Sequence, residues 1–248
     1  MKIKLTAILA ATFLFAGIAG ANSIKSRVGL MVGYDTVRMA ELNESIGDLT
    51  MLILGQEAKP IKAMAGLGLD AGMAVSENVI LGARVGVMKT QVTSVELVVP
   101  LIASAKVEAS GAAVPVMGGF RYMIPIDDNM WAGFGAYAGL AKLTANMTTT
   151  SETLGVTQTS KLDYEGSAPV IEGLLCFDYR ITESISLGGE LGYMSMKADS
   201  IGAIKDYDFD GDGIIDVVKG EKAKNAAGED SAMDLSGVAI ALSLNYLF

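Results

Sequence analysis

Histidine is absent from the 248 residues, and cysteine and tryptophan occur once each. The first absence removes the side chain most often used for proton transfer near neutral pH. Carboxylates could still act as acid and base, but no catalytic set stands out, and an enzyme is not expected. A lone thiol, Cys176, cannot form an intramolecular disulfide. Cations are also scarce: 19 Lys and Arg face 28 Asp and Glu, for a net charge of −9. With no basic block, this balance excludes nucleic acid as a natural partner.

Long apolar runs are confined to the start. Lys2 and Lys4 precede the uncharged stretch from Leu5 to Ile18, which ends in Ala19, Gly20 and Ala21. This is the layout of a cleaved secretory signal, so residues 1–21 are set aside and 22–248 are read as one domain. Setting them aside removes two lysines and no acids, which takes the net charge from −9 to −11. No cysteine follows the apolar run, which argues against a lipoprotein.

Mean hydropathy is nonetheless positive, +0.41, and 51% of residues are apolar. A membrane-spanning helix needs about 20 apolar residues. After the signal, the longest stretch free of charge is Leu235 to Phe248, 14 residues. Only helices and closed barrels satisfy all backbone hydrogen bonds in lipid, and barrel strands need only about 9 to 11 residues.

Eight segments carry the required alternation of large apolar with small or polar residues. They are Val28 to Asp35, Ala65 to Met73, Leu81 to Met88, Val114 to Tyr122, Met130 to Leu140, Ile171 to Arg180, Ile185 to Tyr193 and Val238 to Phe248. Pro115 cannot donate a ladder hydrogen bond, which makes the fourth the weakest central strand. Connections alternate in length: short at 76–78, 126–129 and 182–184, long at 43–60, 93–111, 145–165 and 198–231. The expected fold is therefore all-β, an eight-stranded antiparallel up-and-down transmembrane β-barrel with short periplasmic turns and long extracellular loops. Within the second loop, the apolar run Leu97 to Ala105 either prolongs strands three and four or folds into the barrel mouth.

The signal segment, the alternating strands, the two classes of turn and the closing Leu244-Asn245-Tyr246-Leu247-Phe248 together resemble the small outer-membrane barrels grouped around the transmembrane domain of OmpA, OmpX and OmpW. The resemblance implies a bacterial outer-membrane location among outer-membrane lipid and lipopolysaccharide. It also implies that Phe248, Tyr246, Leu244 and Leu242 form the insertion signal read by the barrel-assembly machinery. Barrel enzymes known on this scaffold depend on a histidine, which this chain lacks.

Two groups of residues invite a functional reading. The alternation aims Asp35, Asp70, Arg84, Arg121, Glu172, Asp178 and Glu190 into the lumen. A barrel of eight strands is filled by its own side chains or one small ligand, so these charges are expected to pair as a network. A narrow ion path and a small-ligand pocket are the alternatives. The last long loop contains Asp208, Asp210, Asp212, Gly213 and Asp216 in the spacing D-x-D-x-D-G-x-x-D, with the Ile214 carbonyl as a further ligand, as in EF-hand-like calcium loops. Lys219 stands where the bidentate acid of such loops belongs, so the expected calcium affinity is weak. A register starting at Asp206 also fits.

Asn146-Met147-Thr148 matches a glycosylation sequon by chance. Trp131, near a periplasmic turn, is expected to anchor at the membrane interface. The sequence thus predicts a barrel with a structural or surface-interaction role. The alternatives are a narrow channel or transporter for small solutes or hydrophobic molecules, and a soluble periplasmic β protein.

Overall fold

The computed structural model describes residues 25–39, 43, 44, 47, 51, 58–99, 103–153, 155–208, 214–224 and 228–248. The expected signal, 1–21, lies outside these residues, as do Asp210 and Asp212.

Eight long strands close into a ring. They are β1 (Arg27–Thr36), β2 (Ala63–Ala74), β3 (Val79–Thr90), β5 (Ala103–Pro125), β6 (Met130–Thr153), β7 (Val156–Thr182), β8 (Ile185–Ala198) and β11 (Gly237–Leu247). Each pairs antiparallel with its neighbour, and β11 closes the ring between β8 and β1. Among the described residues, three short strands lie outside the ring: β4 (Thr93–Val99), β9 (Gly202–Ala203) and β10 (Met233–Asp234). Among the described residues, no helix is long and apolar enough to cross a membrane.

The ring forms because one parity of every strand is apolar and the other is small or polar. Leu30, Leu67, Leu140 and Leu242 are 65 to 69% exposed on the outside, whereas Asp70, Arg121 and Asn245 are each 1% exposed within. Tight hairpins close the turn end of the barrel, with Val75 N–H donating to Val79 O at 2.9 Å and Ile126 N–H to Met130 O at 2.8 Å. Pro115 is accommodated in β5. It pairs with Ala141 of β6, while the β3–β5 register passes from Val85–Val116 to Met88–Ala113 and skips the residues opposite Pro115. The missing donor is spent on a local gap in one ladder.

At the loop end, two of the expected long connections are largely strand. β6 and β7 pair continuously up to Thr153–Val156, and Gly155, at a φ of 81°, makes the turn. β4 pairs with β5 from Thr93–Ala109 to Val99–Ala103. Leu97 stands opposite Ala105, so the apolar run prolongs the sheet rather than entering the mouth. Above the ring these strands form a sheet in the order β4-β5-β6-β7-β9. In the first long connection, Asn43 holds Ile61 from both sides. Its Nδ2 donates to Ile61 O at 3.0 Å, and its Oδ1 accepts from Ile61 N–H at 2.7 Å.

Candidate functional site

The lumen is filled in three layers. At the turn end, Ile80, Met123, Trp131 and Leu247 are buried, and the Arg180 guanidinium lies 4.3 Å from the Trp131 ring centre. Trp131 is therefore not the interfacial anchor expected from its position near a turn. It is 7% exposed because it shares the inward parity of Gly133, Gly135 and Tyr137 on β6. Beside it, the Cys176 thiol contacts the Met123 thioether at 3.2 Å, both buried.

The middle layer is ionic. Arg84, from β3, reaches three acids on three strands: Nε donates to Asp70 Oδ1 at 3.0 Å, Nη1 to Glu172 Oε2 at 2.9 Å, and Nη2 to both Glu190 oxygens at 2.6 and 2.7 Å. Arg121 Nη2 stands 3.1 Å from Asp70 Oδ2 and 2.5 Å from Glu190 Oε1. The face of Tyr137 lies against both cations, 4.0 Å from the Arg84 Cζ and 5.7 Å from the Arg121 Cζ. Glycines at inward positions make room for these long side chains: a Cβ on Gly82 would come within 2.9 Å of the Tyr137 hydroxyl.

Six of the seven charges that the alternation aims inward join this network. Asp178 does so through Arg27, with which it forms an ion pair, and through Asn245 Nδ2 at 3.5 Å. Arg27 is the member that the sequence reading missed. It sits one residue before the first expected strand, on the same parity as Gly29 and Asp35, and extending the alternation back one pair finds it. The seventh charge, Asp35, is 3% exposed, yet no ion pair among the described residues includes it.

The loop-end layer is apolar. Met39, Ile61, Met64, Leu143, Met196, Met233 and Leu235 are all at or below 1% exposure. The last of these come from the segment before β11, which folds inward. β10 pairs with Lys197 and Ala198, and Leu235 N–H donates to Met196 O at 2.8 Å. The Met233 and Met39 methyl groups come together against Gly111, where an added Cβ would lie 2.8 and 3.3 Å from them.

Two spaces among the described residues bear on this packing. A cavity of about 30 Å³ lies at the turn end among Arg27, Trp131, Asp178 and Leu247. A larger concavity, about 360 Å³, opens on the outer wall around Gly189, between Phe177, Leu191 and Leu242. The residues expected to form an insertion signal are also on that wall: Leu242, Leu244, Tyr246 and Phe248 are all exposed, and the last two rings stack 6.4 Å apart.

The acid-rich loop is only partly within the described residues. Tyr207 and Val217 form an isolated bridge, with Asp216 N–H donating to Tyr207 O at 2.8 Å, so Asp208 and Asp216 each stand next to a bridged residue. Asp206 Oδ1 accepts the Lys219 N–H at 2.6 Å. Among the described residues, no group of three or more acids, cysteines or histidines could hold a metal. The Tyr207 hydroxyl is hydrogen-bonded to Asp163 N–H and O, which ties this loop to β7.

The chain matches no protein-family model and no curated protein. Among solved structures it is similar to the outer membrane protein OprG from Pseudomonas aeruginosa, at 12% identity over 92% of this chain and 98% of that one, with a TM-score of 0.42. Neisserial surface protein A gives 9% identity over 90% and 97%, with a TM-score of 0.39. Ail, the attachment invasion locus protein of Yersinia pestis, gives 8% over 91% and 100%, with a TM-score of 0.38.

Proposed function

We propose that this chain is a bacterial outer-membrane barrel whose work is done at its loop end, as a scaffold that displays a surface sheet rather than as a conduit. The observation that carries this reading is the pairing of an apolar outer wall with a filled lumen. A ring of exposed Leu, Ile, Val, Phe and Tyr on all eight strands is stable only against lipid. The inside offers an ionic layer held between two apolar ones, a packing that supports a scaffold over a conduit. Lipopolysaccharide surrounds the outer rim in this reading, and the barrel-assembly machinery reads the strand ending at Phe248.

Purified protein reconstituted in planar bilayers is expected to give no resolved conductance steps, while a peptide tag inserted after Gly155 is labelled by antibody on intact cells. Regular steps that change size in Arg84→Ala would overturn the scaffold reading in favour of a channel. A tag that stays hidden on intact cells would overturn the display.

For the acid-rich loop we propose weak calcium binding by Asp208, Asp210, Asp212 and Asp216 with the Ile214 carbonyl. Alternating carboxylates supply the hard oxygen donors that calcium takes, and the Tyr207–Val217 bridge supports the reading by holding both ends of the loop together. Calcium titrated calorimetrically into refolded protein is expected to give a saturable heat that Asp208→Ala with Asp216→Ala abolishes. A flat trace for the parent protein would remove the site.

A further inference from the structure

The outer wall is bulky along β7 and β8 except at two places. The outward positions of β7 from Ile171 to Ile181 and of β8 from Ile185 to Tyr193 are Ile, Leu, Phe or Tyr, apart from Gly173 and Gly189. A Cβ added to either glycine would meet no atom within 4 Å. Gly189 pairs with Phe177 on one side and Leu242 on the other, and Leu175, Leu191 and Ile240 complete the rim of a concavity of about 360 Å³. At the ~30 Å³ that the liquid allots to one water molecule, this is room for roughly a dozen chain atoms. Its depth follows from the strand. Gly189 stands four residues from Ile185 and four from Tyr193, roughly 13 Å each way at the rise of a strand. Beyond those ends the chain turns polar, at Ser195 and Lys197 toward the loops and at Thr182, Glu183 and Ser184 in the turn. The concavity therefore lies midway in an apolar band about 25 Å tall.

The geometry points to this concavity as the seat of one acyl chain of a lipopolysaccharide molecule, reaching it from the loop end. At that depth only hydrocarbon meets the wall, and a concavity left empty forfeits the dispersion contacts of the atoms that line it. Hydrocarbon gains nothing by leaving hydrocarbon, so retention rests on packing, which a closely lined groove supplies and a smooth wall does not. The direction of entry is set by the neighbours. Toward the turns, Tyr179, Leu187 and Leu244 stand out from the wall at 45 to 52% exposure and close the way. Toward the loops the wall opens again at Gly173, opposite Tyr193. A chain that reaches Gly189 past Gly173 comes from the loop-side leaflet, where lipopolysaccharide stands in the outer-membrane reading above, on which this assignment rests. A second copy of the protein fits less well, because barrel walls are convex and two of them meet along a line, leaving the concavity unfilled.

The test uses the full chain refolded in detergent micelles and titrated with purified lipopolysaccharide, with phosphatidylethanolamine in a parallel series. Native mass spectrometry counts the lipid bound per chain. One lipopolysaccharide is expected to bind saturably and more tightly than the phospholipid. Gly189→Leu fills the concavity where nothing opposes a side chain, and is expected to weaken that binding roughly tenfold, the equivalent of about ten lost atom contacts. Gly173→Leu is expected to weaken it in the same direction, while Ala65→Leu, an outward substitution on β2, leaves it unchanged. Heat-modifiable migration on gels verifies that each variant is folded. No binding, equal binding of the two lipids, undiminished binding by both glycine variants, or a dimer that Gly189→Leu dissociates would each overturn the assignment. The scaffold and display readings fail separately, in planar bilayers and through the intact-cell tag, and the lipid titration depends on neither.

Discussion

Arg84 Nη2 lies 2.6 and 2.7 Å from the two carboxylate oxygens of Glu190, a contact made across the lumen by residues 106 positions apart in sequence. Both side chains are almost shut off from solvent, at 2 and 7% exposure, so neither charge finds water if the other is removed. Arg84→Ala leaves Glu172 without its cation and Asp70 and Glu190 with only Arg27 and Arg121 between them, and is expected to cost about 3 to 5 kcal/mol. Urea unfolding of the refolded barrel in micelles reads this directly. A loss under about 1 kcal/mol would mean that water reaches the ionic layer freely.

Asp35 and Asp70 are buried to the same degree but differ in company. Asp70 meets Arg27, Arg84 and Arg121, at 3.6, 3.0 and 3.1 Å, and Asp35 meets none of them. Asp70→Asn is therefore expected to destabilise by several kcal/mol, on the order of a broken buried pair, while Asp35→Asn leaves stability unchanged or raises it. The same urea titration compares them. A large loss at Asp35 would assign it a partner that the ion pairs do not include.

How far the chain could be read in advance follows from where lipid imposes a rule. All eight ring strands and their parity were legible, because lipid outside and a crowded lumen inside force alternation on every residue between Arg27 and Leu247 that crosses. Six members of the ionic layer followed from that parity alone. Beyond the membrane the rule lapses. Thr148, Thr149, Thr150 and Ser151 carry no apolar face, so the rise of β6 and β7 into a hairpin looked like loop. Trp131 was misread because its residue type suggested an interface while its parity placed it inside. Met233 and Leu235 were not foreseen as lumen filler, since a two-residue strand has no period to detect.

The apolar layer at the loop end gives a prediction that separates packing from gating. Leu235→Ala is expected to cost about 2 to 5 kcal/mol as a cavity in a closed site. Met233→Gly combined with Leu235→Gly removes much of that layer but leaves Arg84, Arg121 and Trp131 in place beneath it. The double variant is accordingly expected to remain silent in planar bilayers. Sustained conductance from it would identify the layer as the sole barrier and the ionic layer as permeable.

Asp230 provides a pH readout in the last loop, away from the membrane. Hydrogen bonds from Lys222 and Lys224 hold its carboxyl below the ordinary carboxylate range, with the attraction of both cations adding to them. A carboxylate whose folded pKa is depressed contributes stability that is fully present above its unfolded value and lost as pH falls through the folded one. The Lys224–Asp230 bridge and the Ser231 N–H to Ala223 O hydrogen bond, 2.7 Å, close the turn this carboxylate holds. Amide protection at Ser231 is therefore expected to stay constant from neutral pH down to about pH 4 and to fall below it. In Asp230→Asn it is expected to be low throughout, with no step. Both lysine contacts are exposed, so high salt is expected to weaken the parent protein's protection while leaving the variant unchanged. Protection that is lost already near pH 6, or that persists in Asp230→Asn, would show that the turn is held by its backbone and not by the carboxylate.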